Sequence, residues 1–424
     1  MDPISARLLA RHPQKIDLSL TRMRALCAAL GDPQRRLGPV VHVAGTNGKG
    51  STVAFLRAMA EAAGLRVHVY ASPHLVRFNE RIRIAGSLIS DAALTEALDR
   101  VEAAGVEATV FEATTAAAFV AMADVEADLT LLEVGLGGRL DATNVVDRPL
   151  LSVITPVALD HAEFLGTDLA AIAAEKAGIL KPGVRAIVAR QDEAAMAAIE
   201  AEAARVAAPL TVMGVDFDAW AERAGLAWQD AERFLDLPAP ALFGPHQVDN
   251  AGLAVAAAAE LDLPAAAIAA GLAGARWPAR LQRLTAGPYG ESAVGAGAEL
   301  WLDGGHNPHA AAALADALHQ LNQRAPRRLA LICGLMGNKD ADGFFKALAP
   351  LGAPVRAVAF EGAAADPVAV AGAARAAGLA AQPASSVQAA LADALAEGAG
   401  RVVICGSLYL AGEVLGASRD TWPA

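Results

Sequence analysis

Val41-His42-Val43-Ala44-Gly45-Thr46-Asn47-Gly48-Lys49-Gly50-Ser51-Thr52 is the stretch on which the reading of this chain turns. A short apolar run, Pro39–Ala44, reads as a buried strand that opens into a glycine loop, and a helix fits residues 50–63. Glycines let successive backbone N–H groups curl around an anion, and a helix N-terminus adds partial positive charge at the same place. Lys49 would reach the β and γ phosphates of a nucleotide, and the hydroxyl of Ser51 or Thr52 would contact phosphate or bound Mg²⁺. The spacing departs from the strict GxxxxGK[ST] pattern. Val43 stands where the first glycine is due, and Gly50 separates Lys49 from Ser51.

Working outward, residues 16–30 carry apolar side chains at helical spacing (Ile16, Leu20, Met23, Leu26, Cys27, Leu30), with Gly31 as a stop. Val67–Tyr70, Leu129–Val134 and Leu151–Thr155 read as further buried strands separated by helical segments. That alternation argues for a largely parallel sheet covered on both faces. Residues 191–243 are Ala-rich and less regular, with no motif. Gly271–Pro278 closes the first part, and the glycines of Gly287–Gly297 suggest a hairpin near a domain junction. Leu300–Leu302, Leu329–Cys333, Val355–Phe360 and Val402–Cys405 then repeat the α/β rhythm. The expected fold class is α/β, an N-terminal domain with a phosphate loop and a mostly parallel sheet plus a smaller C-terminal α/β domain. The boundary is expected near residues 279 and 280, giving domains 1–279 and 280–424.

Composition narrows the function classes. The 424 residues carry a formal charge of −11, which argues against nucleic acid or an anionic membrane as main partner. Three scattered cysteines form neither a disulfide framework nor a CxxC metal pair. No signal pattern opens the chain and no apolar run reaches membrane-span length, so a cytoplasmic protein is expected. Only six of the 35 basic residues are lysines, at positions 15, 49, 176, 181, 339 and 346. Codon bias accounts for the arginine excess. Each retained lysine is still worth a question, because arginine cannot replace a compact ammonium or a reactive amine.

Glu133 ends a buried strand, at the edge where parallel sheets bind ligands, and would supply an oxygen to Mg²⁺ near a triphosphate. It leads into Val134-Gly135-Leu136-Gly137-Gly138-Arg139-Leu140-Asp141. Asp160-His161 follows another strand, where His161 would serve as metal ligand or substrate contact. Leu169, Ile172, Lys176 and Ile179 share one helix face, so Lys176 points with apolar side chains toward the core. Burial favours its neutral amine, which can react with CO₂ to form a carbamate. Spacing alone leaves a second reading open, in which Lys176 snorkels or pairs with Glu175 or another acid.

Taken together these residues resemble folylpolyglutamate synthase and bifunctional dihydrofolate synthase, of the Mur-ligase superfamily. The resemblance is carried by Gly45–Ser51, Ser72-Pro73-His74-Leu75-Val76-Arg77-Phe78-Asn79-Glu80-Arg81 and Leu132–Asn144. Leu159-Asp160-His161, Glu175-Lys176-Ala177-Gly178-Ile179, Trp277-Pro278-Ala279-Arg280-Leu281, Asp303-Gly304-Gly305-His306-Asn307-Pro308-His309 and Gly406-Ser407-Leu408-Tyr409-Leu410 follow in order. It implies an N-terminal ATPase domain, a Rossmann-like C-terminal domain and a site in the cleft between them. Metal ligands would map to Ser72, Glu133 and His161, for Mg²⁺ in two sites, and the family's carbamylated lysine to Lys176. ATP contacts would map to Gly45, Thr46, Asn47, Gly48, Lys49, Gly50 and Ser51, and to Asn250, Arg280, Asp303 and His306. The pterin-bearing substrate would lie near Ile16, Asp17 and Leu18, near Thr109, Val110, Phe111 and Glu112, and near Leu140, Asp141 and Ala142. Asn338-Lys339-Asp340 departs from the family's usual Asp-Lys-Asp, which leaves Lys339 without a firm role.

The implied reaction is ATP-dependent ligation of L-glutamate to dihydropteroate or reduced folates through an acyl phosphate, in a monomeric enzyme with Lys49, Lys176 and His161 as catalytic residues. Three rivals differ. A monofunctional folylpolyglutamate synthase would use reduced folates alone. A cell-wall amide ligase of the same superfamily would carry a separate domain before the phosphate loop, where only 44 residues stand here. A nucleotide-binding module without ligase chemistry would not need Glu133, His161 and Lys176 together, or Arg280 and Asp303 from farther along the chain.

Overall fold

The structure is a computed structural model that describes residues 3–12, 19–223 and 225–423. Two compact units emerge, one of residues 1–241 and 247–276, the other of residues 242–246 and 277–424.

The first unit is built on an eight-stranded sheet of β1 (Val40–Ala44), β2 (Val67–Tyr70), β3 (Ile82–Ile84), β4 (Ser87–Leu88), β5 (Leu129–Glu133), β6 (Leu151–Ile154), β7 (Ala186–Val188) and β8 (Leu210–Val212). Their order is β4-β3-β2-β5-β1-β6-β7-β8. All neighbours from β2 to β8 run parallel, and β3 and β4 add antiparallel edges. β1, β2, β5 and β6 are buried along their whole length, which is why they read as continuous apolar runs rather than alternating ones. β1 lies between β5 and β6, with Val43 in register with both Glu133 and Val153. Its loop therefore leaves the sheet beside the tips of two parallel strands, where α/β sheets hold ligands.

The helix after that loop runs Lys49–Ala62 and packs against a second helix, Ala265–Gly274. Gly271 lies on the backbone of Met59, so close that a Cβ would collide. Ala and Gly are plentiful here because they let the helices approach.

Residues 191–243 are more regular than their composition suggests. They contain a helix, Glu193–Val206, the last strand β8, and an antiparallel sheet of β9 (Phe217–Glu222), β10 (Gly225–Asp230) and β11 (Phe234–Pro238). The apolar residues of this small sheet are few and spread along three strands. Only Phe217, Ala219, Leu226, Ala227, Trp228 and Leu237 are buried, so the pattern is faint in one dimension.

The second unit holds β12 (Gln282–Leu284), β13 (Glu299–Leu302), β14 (Leu329–Cys333), β15 (Val355–Ala357), β16 (Ala381–Pro383) and β17 (Arg401–Cys405), ordered β12-β13-β17-β14-β15-β16. Only β12 is antiparallel to its neighbour. β12 and β16 escape sequence reading because each has three residues and a polar or proline-containing sequence. The expected hairpin at Gly287–Gly297 is instead a helix, Gly287–Gly295. Pro288 sits in its first turn, where a missing N–H costs nothing, and Gly290 presses on the backbone of Thr285, 2.8 Å from where a Cβ would stand. Those glycines serve close packing rather than a turn. Val355–Phe360 shortens to Val355–Ala357.

Candidate active site

The phosphate loop is tied down from two sides. Gly45 has φ +144° and lies against the Thr155 side chain, while Gly48 has φ +89° and lies against the Asn250 amide; neither has room for a Cβ. The Asn250 amide also donates to Gln247 Oε1, at 3.1 Å. Pro156 O accepts from Thr46 N (3.0 Å) and Asn47 N (3.3 Å), and the Thr46 hydroxyl bonds both N and O of Ala158, each at 3.0 Å. Lys49 Nζ donates to the carbonyls of Gly45 and Thr46, at 3.0 and 3.2 Å. Gly50, Ser51 and Thr52 are buried in the first helical turn, and Thr52 Oγ1 has no hydrogen-bond partner.

Lys176 is 5% exposed, in the last turn of helix Leu169–Ala177, whose N-terminus is capped by Asp168. Its Nζ donates to Gly45 O at 3.1 Å. The amine of one motif thus touches the loop of another, 131 residues away. Burial, reinforced by the nearby charge of Lys49, lowers its pKa to about 7, against weaker pulls from Asp160 and Asp141.

The Gly135–Asn144 segment is folded around Asp141. Its Oδ2 accepts from the N–H groups of Gly135 (3.0 Å) and Leu136 (2.9 Å), and its Oδ1 from the Thr143 N–H (3.0 Å) and hydroxyl (2.6 Å). Burial raises the pKa of Asp141, with these donors opposing. Thr143 also bonds His42 Nε2 at 2.8 Å; His42 is held down to about 3 by burial and by the Lys181 charge. Gly138 sits on the backbone of Glu175 and Lys176, and Gly178 on Arg139, which pairs with Glu175. Asn144 donates to Arg139 O (2.9 Å) and Gly178 O (3.0 Å) and accepts from Lys181 Nζ (2.8 Å). The two motifs are one interlocked piece, and Lys181 has a place in it.

Glu133 is 5% exposed at the tip of β5, and Ser72 N donates to its Oε2 at 3.4 Å. His161 begins a four-residue helix at φ 52° with its side chain 40% exposed, 3.9 Å from Asp160. Ser72 and Glu133 are brought together. Among the described residues no three His, Cys, Asp or Glu side chains converge. The contact runs through the Ser72 N–H; the Glu133 carboxylate and a serine hydroxyl are by their chemistry hard oxygen donors, the kind Mg²⁺ requires.

Thr109 and Glu112 form a capping box for helix Val110–Ala123, and Arg22 grips both Glu112 oxygens at 3.2 Å. Thr-x-x-Glu is the sequence signature of that cap. Arg22 itself carried no signal, because its partner lies 90 residues on. Phe111 packs against Gly135, whose N–H bonds Asp141, and its ring lies 6.3 Å from that of Tyr70, so the expected substrate segment 109–112 meets the loop that leads to the other, 140–142. Leu140 is half-buried and Ala142 buried in that second segment. Ile16, Asp17 and Leu18 lie outside the described residues.

In the second unit, Asp303 follows β13 and accepts from Leu281 N (2.9 Å) and Gly305 N (2.7 Å). Ala279 and Leu281, on either side of Arg280, both have positive φ (55° and 44°), strained for residues with a Cβ. His306 Nδ1 lies 3.0 Å from Gly304 O. Asn307 and Ser407 cap the helices that follow them, Pro308–Arg324 and Leu408–Gly416. Lys339 stands in the turn before the helix that Asp340 caps.

Comparison with known proteins agrees with this arrangement. The Mur ligase middle domain matches residues 43–258 and the Mur ligase glutamate ligase domain residues 290–408. The dihydrofolate synthase/folylpolyglutamate synthase of Bacillus subtilis is 36% identical over 364 residues, covering 81% of each chain. The chain belongs to the dihydrofolate synthase/folylpolyglutamate synthase family. Solved structures of the family superpose closely. E. coli FolC in complex with DHPP and ADP is 32% identical, with TM-score 0.85 over 97% of each chain. A bifunctional folylpolyglutamate synthase/dihydrofolate synthase with Mn, AMPPNP and L-glutamate bound is 33% identical, with TM-score 0.85 over 98% of each chain. Members are ATP-dependent amide ligases of the Mur type, and this chain is one of them. Among the described residues no helix is long and apolar enough to cross a membrane.

Proposed function

We propose that this ligase joins L-glutamate to dihydropteroate and to reduced folates, releasing ADP and phosphate. The observation that carries the site assignment is the contact between Lys176 and the phosphate loop at Gly45. A carboxylate is a poor electrophile at neutral pH. Moving the γ-phosphoryl group of ATP onto it creates an acyl phosphate, whose phosphate departs when the glutamate amine attacks. The protein's share is positioning and charge neutralisation. Gly45–Ser51 wrap the phosphates, and Lys49 exchanges its loop carbonyls for phosphate oxygens. Asn250 braces Gly48. Glu133 and Ser72, with His161, would hold Mg²⁺, which supplies charge screening to the triphosphate.

Lys176 fits carbamylation. Its lowered pKa leaves free amine at neutral pH, and CO₂ addition turns it into an anion with release of a proton. The ligands named by similar proteins, DHPP, ADP, AMPPNP, Mn and L-glutamate, support these classes for this chain. We assign the pterin to Phe111 and the Leu140–Ala142 segment, with Asp141 shaping the loop. For Arg280, Asp303 and His306 the nucleotide role rests on the motif resemblance and on the strained turn that holds Arg280. We assign residues 1–279 and 280–424 to the ATPase and C-terminal ligase domains, and the protein to the cytoplasm as a monomer.

The test is mass spectrometry of products from dihydropteroate and from tetrahydrofolate, each with ATP and glutamate. Glutamate addition to both is expected. Product from tetrahydrofolate alone would reject the dihydrofolate synthase half.

A further inference from the structure

Gln191 follows β7 and lies outside every motif read from the sequence. Its Oε1 accepts from Val157 N at 2.9 Å, and its Nε2 donates to Thr155 O at 3.1 Å. The one amide therefore straddles Pro156. Pro156 has no N–H, and its carbonyl accepts from the two phosphate-loop residues Thr46 and Asn47. Thr155 donates its N–H to Ala44 O at 2.8 Å and fills the space against Gly45, and Ala158 exchanges two bonds with the Thr46 hydroxyl. Residues 155, 156 and 158 all touch the loop, and Gln191 holds 155 and 157. The segment 190–191 is itself anchored, since Arg190 pairs with Asp218 of β9 and packs on Gly214.

We propose that Gln191 is a positioning residue for the nucleotide, which fixes residues 155–158 as the rail on which Thr46 and Asn47 set the glycine loop. The inference rests on ATP occupying that loop. Geometry makes the amide hard to replace. Two bonds of opposite sense, one accepted and one donated, need both ends of a carboxamide. Glutamate keeps the acceptor for Val157 but faces Thr155 O with a second acceptor. Methionine keeps volume and makes neither bond.

The experiment compares Gln191→Met and Gln191→Glu with the wild-type full chain, by steady-state ligation with ATP and glutamate varied separately, together with thermal unfolding. The expected result is a KM for ATP raised about tenfold in both variants. The KM for glutamate at saturating ATP should stay within about twofold, because no glutamate contact is assigned to this segment. A side chain that only fills space would leave the KM for ATP unchanged in Gln191→Met, or shift both KM values together. Either result overturns the proposal. Should one variant fail to fold, the other carries the same comparison. If the wild type shows no ATP-saturable ligation, the phosphate-loop assignment itself falls. If the wild type saturates and the variants match it, only the role of Gln191 falls.

Discussion

Replacing Lys176 by methionine should stabilise the chain while abolishing ligation. Folding brings this amine from an ordinary pKa of 10.5 to about 7, chiefly by burial. Its folded pKa lies below its unfolded one. Between pH 7 and 10 the unfolded chain therefore holds a proton that the folded chain lacks, so stability rises with pH across that window. Relative to a side chain with nothing to ionise, the buried amine costs roughly 4 kcal/mol at pH 7 and roughly 2 kcal/mol at pH 9. Methionine keeps most of the volume and forfeits the bond to Gly45 O, about 1 kcal/mol. The variant should then be more stable by about 3 kcal/mol at pH 7 and by about 1 kcal/mol at pH 9. Urea unfolding at both pH values, in CO₂-free buffer so that no carbamate contributes, reads the difference. A variant less stable at pH 7, or a difference that does not shrink with pH, would refute the reasoning. Such a gain would show that the amine is kept for chemistry at a cost in stability.

Two glycines offer independent checks. Gly48→Ala forces a side chain into the left-handed region, a strain of about 1–2 kcal/mol, and drives a Cβ into the Asn250 amide. Its KM for ATP should rise about tenfold or more, measured by steady-state kinetics. Gly138→Ala places a Cβ 2.7 Å from Glu175 O and 2.9 Å from Lys176 O, both backbone atoms that cannot swing away. It should cost about 1–3 kcal/mol in denaturant unfolding and lower kcat, because the helix end carrying Lys176 has to move.

Much of the parallel framework was legible because its strands are buried on both faces and flanked by glycine. Val67–Tyr70 and Leu329–Cys333 match their expected bounds, and others differ by a residue. The helix at Gly287–Gly295 was not legible. A glycine kept for close packing looks the same in sequence as one kept for a turn. The sheet β9–β11 was lost because its apolar positions are sparse. At the site, single motifs announced Lys49, Glu133 and Lys176, but not their relations. The capping role of Thr109 and Glu112 has a readable signature, Thr-x-x-Glu. Arg22, Lys181 and Gln191 act through partners about 35 to 90 residues away, a distance that periodicity cannot span. Of the six lysines, Lys181 gained a partner in Asn144, Lys346 is exposed, and Lys15 lies outside the described residues.

The central claim is that the phosphate loop and Lys176 form one ATP-driven ligation centre. Phosphate release dependent on both glutamate and dihydropteroate tests it most directly, in wild type, Lys49→Ala and Lys176→Ala, with and without added short carboxylates. The account predicts release in the wild type, none in either variant, and partial recovery by the carboxylate in Lys176→Ala alone. Full activity of Lys176→Ala without added carboxylate would contradict it.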